Sequence, residues 1–146
     1  MLFLSIHPEF ALAIVEGKKT VELRKRRPSA ELDTTVAIYA TTPRCEVVAT
    51  ATLSRVDFAT PEVLWQRVRK IASVTKARYD AYYVNSDLAV GLHLDNVLVL
   101  NQPILLAELR KAWKQFQPPQ QFKYLDSNQQ KLIQNQPSTP GLALKF

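Results

Sequence analysis

Between Gly17 and Arg24 the sequence runs Gly-Lys-Lys-Thr-Val-Glu-Leu-Arg, with a hydroxyl, a carboxylate and a guanidinium at alternate positions, Thr20, Glu22 and Arg24. In a strand, residues two apart share a face, so these three groups line one side while Val21 and Leu23 take the other. A face of this kind is costly to bury unless its groups pair with one another or meet a ligand. Left on an open sheet, Glu22 and Arg24 would be a surface ion pair of little worth. Lys19, at the mouth of the strand, adds an ammonium. The set fits two chemistries. As a binding site, Lys19 and Arg24 supply positive charge, while Glu22 accepts hydrogen bonds from a base or orients Lys19. As a catalytic site, Lys19, its pKa lowered by neighbouring cations, acts as base or nucleophile and Glu22 shuttles the proton.

The charge around this segment points to an anionic partner. Lys and Arg total 19 against 13 Asp and Glu, a net charge of +6. Lys18, Lys19, Arg24, Lys25, Arg26 and Arg27 place six cations within ten residues, and Arg67, Arg69, Lys70, Lys76 and Arg78 make a second cluster. Contacts from such side chains to phosphate dominate nucleic-acid affinity, and exposed aromatic rings can stack on unpaired bases. Trp65, Tyr79 and Phe116 stand at positions that read as core. His7 and His93 have no nucleophile or acidic partner nearby in sequence, and Cys45, the single cysteine, reads as inert. With two histidines and one cysteine the chain lacks metal-ligand spacing, and neither a metal nor a cofactor is expected. No apolar run approaches the roughly 20 residues of a membrane span, and the N-terminus lacks a basic region before its short apolar run. A cytoplasmic protein without membrane attachment is the expectation, and a reducing compartment suits the lone thiol.

The elements that must position these residues are legible in outline. Leu2 to Ile6 form a buried strand, and Pro8 opens a helix with Phe10, Ala11, Ile14 and Val15 as its apolar stripe. Gly17 ends that helix at a left-handed cap, and Lys19 to Arg24 follow as a strand. Arg24 to Glu31 are a charged loop broken by Pro28. Thr35 to Ala40 and Glu46 to Val56 are strands separated by a turn at Pro43-Arg44. Thr60 and Thr75 cap two helices, the first starting at Pro61 and the second running to about Tyr83. Leu88 to Leu94 and Asn96 to Leu100 are expected as two strands with Asp95-Asn96 as their turn. Pro103 and Leu105 introduce a helix through Trp113, Gln117 to Leu125 are extended, and Asp126 to Gln136 are polar and weakly helical. The remaining PSTPGLALKF has the look of a tail whose apolar residues would dock. The 146 residues suit one domain, with residues 126–146 as a polar C-terminal extension. Strands and helices that mix without regular alternation predict an α+β fold with a mostly antiparallel barrel.

Four motifs in order give this outline a family. Ile6-His7-Pro8, Phe10-Ala11, Ile14, Gly17-Lys18-Lys19-Thr20, Glu22 and Arg24 resemble the opening signature of the ASCH family. Tyr39-Ala40-Thr41-Thr42-Pro43 resembles its Y-A-[ST]-[ST]-P strand end, and Arg78-Tyr79-Asp80-Ala81-Tyr82-Tyr83 before Gly91-Leu92-His93-Leu94 its aromatic helix and strand. Pro118-Pro119-Gln120 with Phe122 and Tyr124-Leu125 resembles its close, although Gln121 stands where many members have Ser and Asn85 where many have Gly. The resemblance implies a PUA-like β-barrel with surrounding helices and a cleft for RNA or a nucleoside. The cleft would lie between the Lys19–Arg24 strand and the Gln120–Tyr124 segment, with Lys18, Arg26 and Arg27 beside it. Tyr39, Tyr83 and Tyr124 would come towards it, and Thr41 and Gln120 would add neutral polar contacts. Thr20, Glu22 and Arg24 would share one accessible cavity with Lys19 at its rim. Some relatives resemble hydrolases of acetylated cytidine and others ribonucleases, so a hydrolase using Lys19 and Glu22 is the alternative to a binding protein. Glu22 stands where the acetylcytidine hydrolases have Thr. A module sensing a small anionic ligand is the third reading.

Overall fold

In a computed structural model, residues 1–141 are described. The chain runs β1 (Leu2–Ile6), α1 (Pro8–Val15), β2 (Val21–Arg24), β3 (Thr35–Ala40), β4 (Glu46–Ala59), α2 (Pro61–Val68) and α3 (Lys76–Tyr83). It continues through β5 (Ala89–Leu105), α4 (Leu106–Ala112), β6 (Phe122–Tyr124), α5 (Ser127–Gln134) and β7 (Ser138–Pro140). The strands form one curled sheet in the order β2-β5-β4-β3-β1-β6, with β7 on β5. Among the described residues, only β1 and β3 pair in parallel. This is an α+β half-barrel, mostly antiparallel, with helices around it.

Three apolar clusters hold it together. Leu4, Ile6, Ile14, Ile38, Leu53, Val90 and Leu92 fill the inside of the barrel. Phe3, Tyr39, Trp113 and Phe116 pack on the outer face of β1 and β3. Val21, Leu23, Leu64, Val68, Tyr79 and Tyr83 bind α2 and α3 to the back of β2 and β5. The helix starts follow from capping: Thr60 and Thr75 each accept a backbone N–H with the side-chain oxygen, from Val63 and Arg78. Gly17, at φ 78°, ends the first helical region where a left-handed residue is needed.

Three regions depart from the sequence expectation. Asp95-Asn96 does not reverse the chain. One strand of 17 residues passes through it, and the register against β4 steps from Thr50↔Leu98 to Thr52↔Asp95. That step places one extra residue on β5, a bulge that Asn96 absorbs at φ 50°. Pro103 belongs to the same strand, so α4 begins only at Leu106. Asp126 and Gln129 form a reciprocal capping box, which gives the polar segment a well-defined helix start at Ser127. Ser138 to Pro140 dock as β7 against Leu98 to Leu100, while residues 142–146 of the expected tail lie outside the described residues.

α2 packs on β5 at Gly91, where a Cβ would be crowded at 3.2 Å by Val21 Cγ1 of β2 and would make an ordinary contact with Leu64 Cδ1 at 3.7 Å. Leu64 is fully buried in that seam. Leu64→Ala is therefore expected to lower unfolding free energy by about 2–5 kcal/mol through the cavity it leaves, read as a reduced denaturant midpoint with an unchanged slope.

Candidate functional site

The backbone ahead of β2 is pinned on three sides. The N–H groups of Lys18 and Lys19 both donate to the Ala13 carbonyl, the Thr20 N–H donates to Ile71, and the Thr20 carbonyl accepts from Leu94. Lys19 is thereby turned inward rather than to the rim, and it is 2% exposed. Its Nζ donates to the Ala72 carbonyl at 2.6 Å and stands 3.4 Å from Glu22 Oε1. Glu22 Oε2 lies 2.9 Å from Arg24 Nη1, and Oε1 accepts the Leu23 N–H at 3.2 Å. Arg24 also donates to the Leu23 carbonyl from Nη1 and to the Ser5 carbonyl from Nη2, the latter at 2.8 Å. Glu22 and Arg24 are 4% and 7% exposed, so the three charges form one buried cluster with an excess of one positive charge. Burial pushes the Lys19 amine below its usual 10.5, against the pull of Glu22 and with the repulsion of Arg24.

This cluster forms the floor of a cavity of about 420 Å³. Phe10 makes one wall, with Lys19 Nζ 4.9 Å and the Arg78 guanidinium 4.8 Å from its ring centre. Arg78 is held by Glu9 at 2.9 Å. Tyr82 makes the opposite wall, with Lys25 Nζ 4.8 Å over its ring, and burial raises its hydroxyl pKa. Thr41, Gln120 and Gln121 add neutral polar groups to the lining. Four buried side-chain polar atoms have no hydrogen-bond partner among the described residues. Three of them, Ser5 Oγ, Arg24 Nε and Gln121 Oε1, belong to residues lining this cavity. Buried polar atoms are nearly always paired, so three orphans beside one cavity set it apart among the described residues.

The cavity brings together Lys19, Glu22, Arg24, Thr41 and Gln120. The other residues expected in the cleft lie elsewhere, while His7, Arg78 and Tyr79, named in the sequence for other reasons, also line the cavity. Thr20 is exposed and lines a separate groove beside Thr52 and Asp95, because strand alternation begins only at Val21 and Lys19 takes the place beside Glu22. Lys18 pairs with Glu16 at 2.7 Å on the surface. Arg26 and Arg27 are exposed in the loop after β2, Arg27 lying 4.3 Å over the Phe58 ring. Tyr39 alternates with Ile38 and Ala40, which fill the barrel, and so faces outward against Phe3 at 5.4 Å. Burial, together with the Cys45 thiol, pushes its hydroxyl up to about 12. Tyr83 lies behind the sheet, its hydroxyl donating to the Arg24 carbonyl at 3.0 Å. Tyr124 is half-exposed and its hydroxyl accepts the Ser29 N–H at 2.7 Å, which ties down the charged loop. Sequence reasoning did not assign Ser5, Phe10 or Tyr82 to the cleft, read Arg78 only as part of a cationic cluster, and noted Gln121 only as a departure within the segment expected to border it. Arg78 and Tyr82 carried a usable signal: residues four apart on a helix share a face, so Tyr82, not Tyr83, accompanies Arg78. Among the described residues, no three His, Cys, Asp or Glu side chains are grouped to hold a metal.

The sequence profile of the ASCH domain matches residues 4–98. The chain belongs to the ASCH domain family. An ASCH domain-containing ribonuclease of Zymomonas mobilis subsp. mobilis is 36% identical over 131 residues, which cover 89% of this chain and 88% of that protein. The crystal structure of ASCH from Zymomonas mobilis superimposes with a TM-score of 0.85 at 34% identity, over 93% of this chain and 95% of that one. The N-terminal domain of McrB from Staphylothermus marinus shares the fold alone, at a TM-score of 0.60 and 10% identity over 91% of this chain and 92% of that one. The half-barrel is thus the PUA-like fold of ASCH proteins. The ASCH match spans the buried cluster, Phe10 and α3, whereas Gln120 and Gln121 lie beyond it. No helix among the described residues is long and apolar enough to cross a membrane.

The buried cluster has a measurable signature. Because the folded-state pKa of Lys19 is depressed, the unfolded chain binds more protons between that value and 10.5, and this group's contribution to stability rises with pH across that window. The Lys19 Nζ, followed by NMR of labelled lysine, should titrate below 10.5. Glu22→Gln should move the midpoint further down, since Glu22 is the group that raises it. A midpoint that is unchanged or higher in the variant would show that Glu22 does not stabilise the charged amine.

Proposed function

We propose that this ASCH protein acts on RNA, taking one unpaired nucleotide into the cavity and cleaving the strand there. The observation that carries the reading is the floor of the cavity, where a buried Lys19–Glu22–Arg24 cluster meets three unpaired polar atoms. The relative named as a ribonuclease, similar over nearly its whole length, supports RNA as the substrate class. A volume of about 420 Å³ falls in the usual range for small-ligand sites. Phe10 and Tyr82 offer rings to the base, and the excess positive charge suits the phosphate. Gln120, Gln121 and Ser5 offer hydrogen bonds to base edges or sugar.

Cleavage follows from the same groups. The ribose 2′-oxygen attacks the adjacent phosphorus, giving a 2′,3′-cyclic phosphate on one product and a 5′-hydroxyl on the other. Glu22 accepts the 2′-hydroxyl proton. The Lys19 ammonium, made more acidic by burial, gives a proton to the departing 5′-oxygen, and transfer across the 3.4 Å between Glu22 and Lys19 resets the pair. Arg24 stabilises the charge that builds on the phosphorus oxygens. The lowered pKa of Lys19 also favours a second reading, hydrolysis of an amide such as that of acetylated cytidine, in which the neutral amine acts as base or nucleophile.

Incubation with a labelled single-stranded RNA separates these readings. Wild type should yield cyclic-phosphate ends and leave free acetylated cytidine intact. Glu22→Gln should slow cleavage on the order of a hundredfold or more while RNA still binds. Binding without cleavage in either form would make the protein an RNA-binding module. Turnover of acetylated cytidine alone would establish the amide reading, and the affinity for RNA should fall steeply with salt if phosphate contacts carry it.

A further inference from the structure

Phe58 is out of place for an apolar residue. It lies in register with Val90, which in turn lies in register with Arg24. Residues opposite one another in a sheet share a face, so Arg24, Val90 and Phe58 form a row on the barrel side, spanning two strand spacings or about 10 Å. Val90 is fully buried, yet Phe58 at the end of the row is 47% exposed. The Arg27 guanidinium covers its ring at 4.3 Å, as Lys25 covers the Tyr82 ring at the cavity wall. Lys25 and Arg27 are two residues apart, at most about 7 Å along an extended chain. Among the described residues, Lys25, Arg26 and Arg27 make no salt bridge. Beyond Arg27 the loop that carries them is anchored twice, by Ser29 on Tyr124 and by the Asp33 N–H on the Leu53 carbonyl.

We infer that Phe58 and Arg27 form a second base-binding subsite, occupied by the nucleotide adjacent to the one in the cavity; this rests on the RNA reading above. The incoming base stacks on the Phe58 ring in place of the guanidinium, and Arg27, freed, meets the phosphate that links the two nucleotides. Lys25 and Arg26 flank the same stretch of backbone. Stacking of this kind accepts any base, because every base offers a flat face. The cavity therefore selects the nucleotide, and the Phe58 platform contributes affinity and strand direction.

The test uses a tetranucleotide with 2′-fluoro sugars, which cannot be cleaved by a 2′-oxygen, carrying 2-aminopurine at each position in turn, beside a mononucleotide. Wild type should bind the tetranucleotide at least tenfold more tightly and quench 2-aminopurine at one position next to the cavity nucleotide. Phe58→Leu should remove most of that gain and the quenching while leaving mononucleotide affinity unchanged, and Phe58→Trp should restore both. Arg27→Gln should weaken the tetranucleotide alone. Unchanged tetranucleotide affinity and quenching in Phe58→Leu would overturn the subsite and leave the RNA reading standing. Equal loss for the mononucleotide would also overturn it, since Phe58 would then act through the cavity. A wild type that binds neither probe overturns the RNA reading and the subsite with it.

Discussion

Three charges buried within one short segment are the constraint around which this barrel is arranged. Removing ions from water costs several kcal/mol each unless geometry and further hydrogen bonds compensate, and a hydrophobic replacement would often be as stable. Here the compensation is drawn from distant parts of the chain: the Ala72 carbonyl receives Lys19, and the Ser5 carbonyl receives Arg24. Each charge is thus a tie between elements. Arg24 joins β2, at one end of the sheet order, to β1 near the other, where no strand ladder connects them. The half-barrel is held in its curled form partly by the cluster that floors its cavity.

That dual use explains the uneven treatment of polar atoms around the cavity. Each charged head has an ion-pair or carbonyl partner, as stability demands, while among the described residues Arg24 Nε, Ser5 Oγ and Gln121 Oε1 have none. A fold optimised for stability alone would pair or replace them. The aromatic walls follow the same division. Phe10 has two cations close to its ring, whereas Tyr79 and Tyr83 meet edge to face at 4.7 Å and support the sheet.

The sequence made the scaffold legible where local chemistry and packing agreed. Pro8, Gly17, Thr60 and Thr75 mark ends that the structure keeps, because caps act within a few residues. Asn96 misled because a residue suited to a tight turn is equally suited to a bulge, and only the length of β4 decides between them. Within the candidate site, the association of Glu22 with Arg24 followed from alternation. The depth of Lys19 did not, since it depends on Ala13, Ile71 and Leu94 fixing the backbone from three directions. Tyr39 was misplaced for a related reason. Its face is set by whether Ile38 or Tyr39 fills the barrel, and both would be content in an apolar interior.

The cavity is closed by residues far apart in synthesis. Its floor comes from residues 5 to 24, its walls from 10 and 82, and its last side from Gln120 and Gln121. Chains fold as they emerge, N-terminal parts first. A nascent chain that has not reached Gln121 carries the charged cluster and most of the sheet but presents an open trough instead of a pocket. Competence is delayed until β6 can lie against β1, where Phe122 meets Leu4. For the RNA-cleaving site proposed above, that order means that through most of translation the growing chain, tethered to its own message, has no finished site to turn on it.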